Sequence, residues 1–243
     1  MNPMLKSFIQ PGAALMRRLR LPHKLTLLAG VLLIPLLLAC IQWFTRLSGD
    51  IETVRAEREG VAVIAEAMKL INAVQLHRGQ MNLRLSGNAS VEPALEATRA
   101  TALKASTAVD EALSRSSGLN IGKQWAPLRT RVAGLKMLGS GSAPESFAAH
   151  SALVDELGRF IYATGEASQM LFDPDATTYL LIETAVSRIV PWSERIARIR
   201  GYGTGLLTQL PIDERSAGRI QMQIDDLTGQ LNELEFFKGY LER

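Results

Sequence analysis

The residues best suited to chemistry are a cation and two amides placed where apolar side chains are expected. Arg78 lies four residues after Val74 and three before Met81, which puts a guanidinium on the apolar face of a helix. Gln75 and Asn82 lie three and four residues from Arg78, so they share this region. Because an unpaired cation is costly to bury, Arg78 requires an anion. That anion is either an internal carboxylate, which would fix the helix register, or a bound ligand; both interpretations stay open.

A second basic cluster lies further along the chain. Arg200 borders apolar positions and is the better candidate for binding, whereas Arg198 lies four residues after Glu194, a spacing typical of a surface ion pair. Glycines at positions 201, 203 and 205 either permit close approach of another helix or end the helix. A phosphate-binding loop is excluded, because no strand precedes these glycines and no lysine follows them.

Other polar residues receive structural interpretations. His77 neighbours Arg78 and could join its site, but we expect it to face solvent or lie at the boundary of the bundle; we expect His150 in the core. Asp173 before Pro174 fits a helix N-cap followed by proline, which explains Asp173 and Asp175 without a metal. With one cysteine, three histidines and no nucleophile-elbow pattern, the sequence predicts no catalytic residue, no metal site, no cofactor and no enzymatic activity.

The elements that position these residues begin with a membrane segment. The 20 residues from Leu25 to Phe44 carry no charge, and a helix of that length is roughly 30 Å long, enough to cross a bilayer core. Residues 1–24 are basic and contain no acid, so the positive-inside rule predicts a cytoplasmic N-terminus and an inner-membrane location. Residues 45–243 then lie in the periplasm. They carry a small acidic excess, which argues against nucleic acid binding.

Cleavage of this segment is the alternative. Leu37, Leu38, Ala39 and Cys40 form a tetrad typical of a lipoprotein cleavage site, which would acylate the cysteine. Signal peptides usually have an apolar core of about 7 to 15 residues, shorter than this one, and the basic leader is long. A retained transmembrane helix is therefore favoured.

Residues 45–243 predict an all-α domain. Apolar residues recur at spacings of three and four, and five short breaks divide the region into six helical segments. Ser142 and Glu145 fit a capping box, and a seam including Ile189 and Ile196 is expected to face the core, with Pro191 kinking its helix. The first segment continues from the membrane helix, which predicts an elongated antiparallel helical bundle. The last helix has no stop signal, so we expect a longer protein with a second membrane span.

The order and spacing of several segments carry a family resemblance. The chain after residue 20 resembles the periplasmic sensing region of proteobacterial methyl-accepting chemotaxis proteins, and more distantly the helical nitrate- and nitrite-sensing domain. Besides the N-terminal span, the segments that carry the likeness are Glu57–Val61, Gln75–Gly79, Leu85–Gly87, Asp173–Tyr179 and Arg200–Gly203.

The resemblance implies the input region of a transmembrane chemoreceptor, working as a homodimer and binding a small periplasmic solute. The nitrate-sensing likeness implies an anionic ligand held by arginines on facing helices, here Arg78 and Arg200, and we assign Gln75 and Asn82 to orient it. The relay and methylated helices of that family do not occur within these 243 residues. Similar input domains precede diguanylate cyclases and histidine kinases, so the output stays open. A membrane-anchored structural or adaptor protein is the alternative from another class.

Overall fold

The structure is a computed structural model, and it describes residues 17, 20–173, 175–207 and 213–241. Every regular element within these ranges is helical, which confirms the predicted all-α class. The predicted basic leader, residues 1–24, and the predicted break at residues 210–213 lie largely outside the described residues. The chain divides into two units, residues 1–52 and 53–243.

Each predicted break that the structure describes lies between helices, but the helix that begins at Gly122 ends at Ala133, before the predicted break at residues 139–142, and a π turn divides the fifth predicted segment. Short 3₁₀ turns occupy Ala89–Val91, Ser117–Leu119, Leu135–Gly139 and Met170–Phe172, and a π-helical turn occupies Thr184–Arg188. The described α-helices are α1 (Leu21–Leu85), α2 (Glu92–Arg115), α3 (Gly122–Ala133), α4 (Ala143–Ala167), α5 (Ala176–Glu183), α6 (Ile189–Leu207) and α7 (Glu214–Leu241).

In the first unit, the residues of α1 are apolar and exposed. Leu25, Leu32, Ile34 and Leu38 are all more than half exposed, and the apolar stretch is long enough to cross a membrane. A helix with this composition that buries none of its apolar window is suited to lipid rather than to a protein core. One long apolar N-terminal helix could therefore span a membrane.

The second unit has an apolar core to which α1 contributes its C-terminal half. Val63, Ala67, Leu70 and Val74 are fully buried, at the three- and four-residue spacing of one helix face. The remaining core side chains come from α2, α3, α4 and the segment around the π turn, and include Val109, Val132, Leu157, Ile161 and Val186. α3 packs on both α2 and α4, and α6 packs on both α4 and α7.

Local side-chain caps determine where two of the helices begin. The Ser142 hydroxyl accepts from the Glu145 N–H and the Glu145 carboxylate accepts from the Ser142 N–H, so the predicted capping box is confirmed. The predicted cap at Asp173 is wrong. Asp175 caps α5 by accepting from the Thr178 N–H at 2.9 Å, while Asp173 accepts from the Asp175 N–H and forms the preceding turn. Pro174 lies outside the described residues.

The π turn changes which face of α6 is buried. It inserts an extra residue directly before α6, whose third residue, Pro191, provides no backbone N–H donor. The predicted seam through Ile189 and Ile196 is wrong, because these side chains are 45% and 51% exposed. The buried side chains of the π turn and α6 are instead those of Val186, Val190, Glu194, Ala197 and Gly201.

Candidate functional site

Arg78 lies in the core, as its spacing predicted, and its anion is an internal carboxylate. The residue is 1% exposed, and its Nη1 donates to Oε1 of Glu194 at 2.5 Å and to Oγ of Ser151 at 2.7 Å. Since Ser151 is on α4 and Glu194 on α6, one guanidinium joins three helices. Of the two anions considered for Arg78, the structure contains the internal one.

Glu194 is the centre of a larger polar network. It is 4% exposed, and besides Arg78 it accepts from Gln75 Nε2 at 3.1 Å and from Arg198 Nε at 2.5 Å. Arg198 Nη2 in turn donates to both carboxylate oxygens of Asp155, at 2.8 and 2.9 Å. The network therefore contains two cations and two carboxylates, and their formal charges cancel. Charge cancellation with several hydrogen bonds is the condition under which ions are tolerated in a core.

The sequence analysis missed three members of this network. Glu194 was expected on the surface as the partner of Arg198; it does pair with Arg198, but from a buried position. Ser151 and Asp155 were not singled out at all. A usable signal was present: Glu194 lies four residues after Val190 and eight after Val186, on the face that those two valines bury. The π turn shifts the buried face of α6, so the periodic pattern predicted from the sequence did not include Glu194.

The guanidinium of Arg78 also contacts an aromatic ring. Its Cζ lies 4.6 Å from the centroid of the Phe147 ring, within the range of a cation–π interaction. Its Nη2 has no hydrogen-bond partner within the described part of the chain. A buried donor without a partner is unfavourable, so Phe147 and Glu194 together offset the burial of this charge. The Nη2 of Arg78 is therefore a hydrogen-bond donor without an acceptor among the described residues.

Asn82 and the glycines of α6 form a close helix contact one turn further along α1. Asn82 Nδ2 donates to the Gly201 carbonyl at 3.1 Å. A Cβ at Gly201 would meet the Phe147 ring at 2.8 Å, and a Cβ at Gly205 would meet Asn82 at 2.8 Å. Glycine at these two positions therefore permits the approach, and α6 continues to Leu207 rather than ending there.

Gln75 and Arg200 line one groove between α1 and α6. The groove encloses about 390 Å³, and its other lining residues are Asn72, Leu76, Ser193, Ile196 and Ala197. Arg200 is exposed at its edge. The structure thus connects all four predicted residues to the α1–α6 contact. Arg78 and Gln75 meet at Glu194, Gln75 and Arg200 share the groove, and Asn82 binds the α6 backbone.

Two buried histidines form a pair on another side of α1. His77 is 1% exposed, so its predicted boundary or solvent-facing position is wrong, whereas His150 is in the core as predicted. His77 Nδ1 lies 2.8 Å from His150 Nε2, and the rings are stacked with centroids 5.0 Å apart. Burial, with the neighbouring His150 and Arg99, lowers the pKa of His77 to about 4, and burial also lowers the pKa of His150. Both rings are neutral at pH 7.

Comparison of the chain with protein-family models, curated proteins and solved structures finds no match. Among the residues that the structure describes, no group of three His, Cys, Asp or Glu side chains could hold a metal ion.

Neutralising Glu194 should destabilise the protein strongly. Glu194→Gln leaves the buried Arg78 cation without its carboxylate, and we expect a loss of about 3 kcal/mol or more in the free energy of unfolding. The matched control is Glu66→Gln, which removes the acid of an exposed pair with Lys69 and should cost less than about 1 kcal/mol. Urea denaturation followed by circular dichroism measures both. Equal effects of the two substitutions would contradict a central role for Glu194.

Removing both charges should be better tolerated than removing one. In the double variant Arg78→Met with Glu194→Gln, no buried cation is left unpaired at position 78. We expect its destabilisation to be smaller than the sum of the two single variants by at least about 1 kcal/mol. Additive effects in this double-mutant cycle would show that the two side chains do not interact.

Stability should fall in acid because of the histidine pair. The folded-state pKa of His77 is depressed below the ordinary 6.5 to about 4, so the unfolded chain takes up a proton first as the pH falls. The stabilisation is complete above pH 6.5 and is lost progressively towards pH 4, by about 3 kcal/mol. Urea unfolding of the wild type and of His77→Gln across this range isolates the effect. The pH dependence should be flatter in the variant, and parallel curves would contradict it.

Proposed function

We propose that this chain is the input region of a bacterial transmembrane receptor. Its first 24 residues lie in the cytoplasm, α1 crosses the inner membrane, and the second unit lies in the periplasm, where it binds a small solute. The observation that carries the proposal is α1 itself. One continuous helix contains both the exposed apolar stretch and, nearer its C-terminal end, the buried Arg78 in contact with Glu194 of α6.

This arrangement supports a signal passed along a helix. The interface between α1 and α6 depends on charged and amide groups whose hydrogen bonds require defined positions, so a shift of α6 changes the contacts of α1. A ligand biases two such arrangements only by its difference in affinity for them. A tenfold preference supplies about 1.4 kcal/mol, which is comparable to one hydrogen bond of this network.

The groove between α1 and α6 is the proposed site for the solute. Arg200 at its edge provides a positive charge, and Gln75 and Asn72 provide amides, whereas the Ser193 hydroxyl donates to the Val190 carbonyl. These groups favour a small anion. Gln75 donates one of its two amide hydrogens to Glu194, and an anion in the groove can accept the other. Such an anion contacts a direct hydrogen-bond partner of the carboxylate that pairs with Arg78.

The finer features of the proposal follow the family resemblance. The second unit is an elongated antiparallel bundle, the receptor is a homodimer, and the output is chemotaxis signalling through methyl-accepting helices. A diguanylate cyclase or histidine kinase output is compatible with the same input region. The proposal involves no cofactor, nucleic acid or enzymatic step.

The orientation has a direct test. Alkaline phosphatase, active only outside the cytoplasm, should be active when fused after Glu59, and green fluorescent protein fused at the same residue through the Sec pathway should be dark. Fusions after Arg20, before the apolar stretch, are the matched control and should give the opposite pattern. An inactive phosphatase after Glu59 would place the second unit in the cytoplasm and contradict the receptor topology.

Binding in the groove has a separate test. Calorimetric titration of the full chain in lipid nanodiscs with a panel of small anions should identify a ligand whose affinity falls about tenfold or more in Arg200→Ala, because its charge-assisted contact is lost. Arg129→Ala is the matched control, since Arg129 is an exposed arginine that pairs with Asp110 away from the groove. An affinity unchanged by Arg200→Ala would remove Arg200 from the site.

One observation favours an adaptor as the second candidate. Ile224 and Leu231 on α7 are exposed and lie seven residues apart on one helix face. A contiguous exposed apolar face is typical of a surface that binds another protein. An adaptor needs no small ligand. Absence of binding across the whole anion panel, with the topology confirmed, would favour this candidate over the receptor.

A further inference from the structure

A small cavity lies beside His77, separate from the groove that contains Arg200. It encloses about 180 Å³, the volume of about six water molecules at roughly 30 Å³ each. α1, the start of α2 and the turn Leu135–Gly139 form its walls. The lining side chains are polar or charged for the most part, and they include His77, Arg84, Glu92, Glu96, Arg99 and Lys136.

The hydrogen bonds of the histidine pair determine what His77 presents to this cavity. The Ser146 carbonyl can only accept, so His150 Nδ1, 2.7 Å away, carries the hydrogen and donates. The neutral His150 ring then accepts at Nε2, and His77 Nδ1 donates to it across 2.8 Å. The neutral His77 ring therefore has a bare lone pair at Nε2. No hydrogen bond to this nitrogen occurs among the described residues, and it is the ring nitrogen left for the cavity that His77 lines.

The charges around the cavity favour an anion. Arg84 pairs with Glu92 and Arg99 with Glu96, so these four side chains cancel in formal charge. Lys136 adds one positive charge, and Arg99 first and Lys136 with it lower the pKa of Glu96. The cavity thus combines an excess positive charge with a hydrogen-bond acceptor on a residue of its wall.

We propose that this cavity binds a small anion that carries its own O–H hydrogen. The anionic oxygens face Lys136 and the two arginines, and the hydroxyl donates to His77 Nε2. Hydrogen phosphate and α-hydroxycarboxylates share this chemistry. Nitrate, sulfate and simple carboxylates such as acetate lack the hydrogen at neutral pH and cannot donate to His77 Nε2, so they lose one hydrogen bond that the proposed ligands make.

A bound ligand of this kind completes a chain of hydrogen bonds that all run in one direction. The ligand hydroxyl donates to His77, His77 donates to His150, and His150 donates to the Ser146 carbonyl. The chain links the cavity to α4, whose Ser151 contacts Arg78. The site does not depend on the receptor role or on the Arg200 groove, so its failure would leave the proposed function in place.

Matched pairs of anions test the site with the full chain in lipid nanodiscs at neutral pH. Isothermal titration calorimetry compares phosphate with sulfate, and lactate with propionate, which differ by the hydroxyl group. We expect phosphate, lactate or both to bind at least about tenfold more tightly than the matched anion. Tighter binding of phosphate identifies the ligand as an inorganic oxyanion, and tighter binding of lactate identifies it as a hydroxy acid.

Charge reversal locates the binding. Lys136→Glu, at an exposed position, should weaken binding about tenfold or more, whereas Lys104→Glu, an exposed lysine on α2 outside the cavity, and Arg200→Ala should leave it unchanged. Nitrogen NMR should also show the His77 Nε2 resonance shifting on addition of the tighter anion. The proposal is overturned by no binding at millimolar concentrations, by equal binding within both pairs, or by unchanged affinity in Lys136→Glu.

Discussion

The carboxylate of Glu194 is the group on which the rest of the second unit depends. It lies in the core and accepts hydrogen bonds from Arg78, Gln75 and Arg198. It therefore forms ion pairs with the buried Arg78 and with the partly buried Arg198. Replacing such a network by apolar residues often stabilises a protein, whereas removing one member leaves a charge without compensation. The network therefore contributes less to stability than to the choice of one alignment of α1, α4 and α6, since sliding any of these helices would separate the charges.

That constraint explains the residues around it. Glycine at positions 201 and 205 lets α6 approach the Phe147 ring and Asn82, and Asn82 holds the approach by binding the Gly201 carbonyl. A directional contact of this kind has few acceptable geometries, unlike an apolar contact, which tolerates small slips. Two helices joined in this way move in discrete steps or not at all. Such an interface is compatible with the proposed receptor, in which a ligand bound to Gln75 contacts the same network.

The sequence predicted the features that depend on nearby residues. The Ser142 capping box and the need of Arg78 for an anion follow from spacings of three or four residues, and the helix breaks follow from clusters of Gly, Asn, Ser and Pro; these features are found wherever the structure describes them. It did not identify Glu194 as that anion, because the π turn before α6 shifts the helical face by one residue and a periodic pattern contains no sign of such an insertion. The cap at Asp175 instead of Asp173 is an error of two residues, typical of helix ends.

Burial is the main cause of the lowered pKa of both His77 and His150, and the Arg78 cation adds to it only at His150. Neutral rings leave a single direction for the hydrogen bonds, because the Ser146 carbonyl fixes the hydrogen on His150 Nδ1. The pair therefore leaves a lone pair at Nε2 of His77, a residue that lines the cavity. In the proposed site this lone pair selects a ligand that donates a hydrogen, a selectivity that the charge of Lys136 and the arginines alone does not provide.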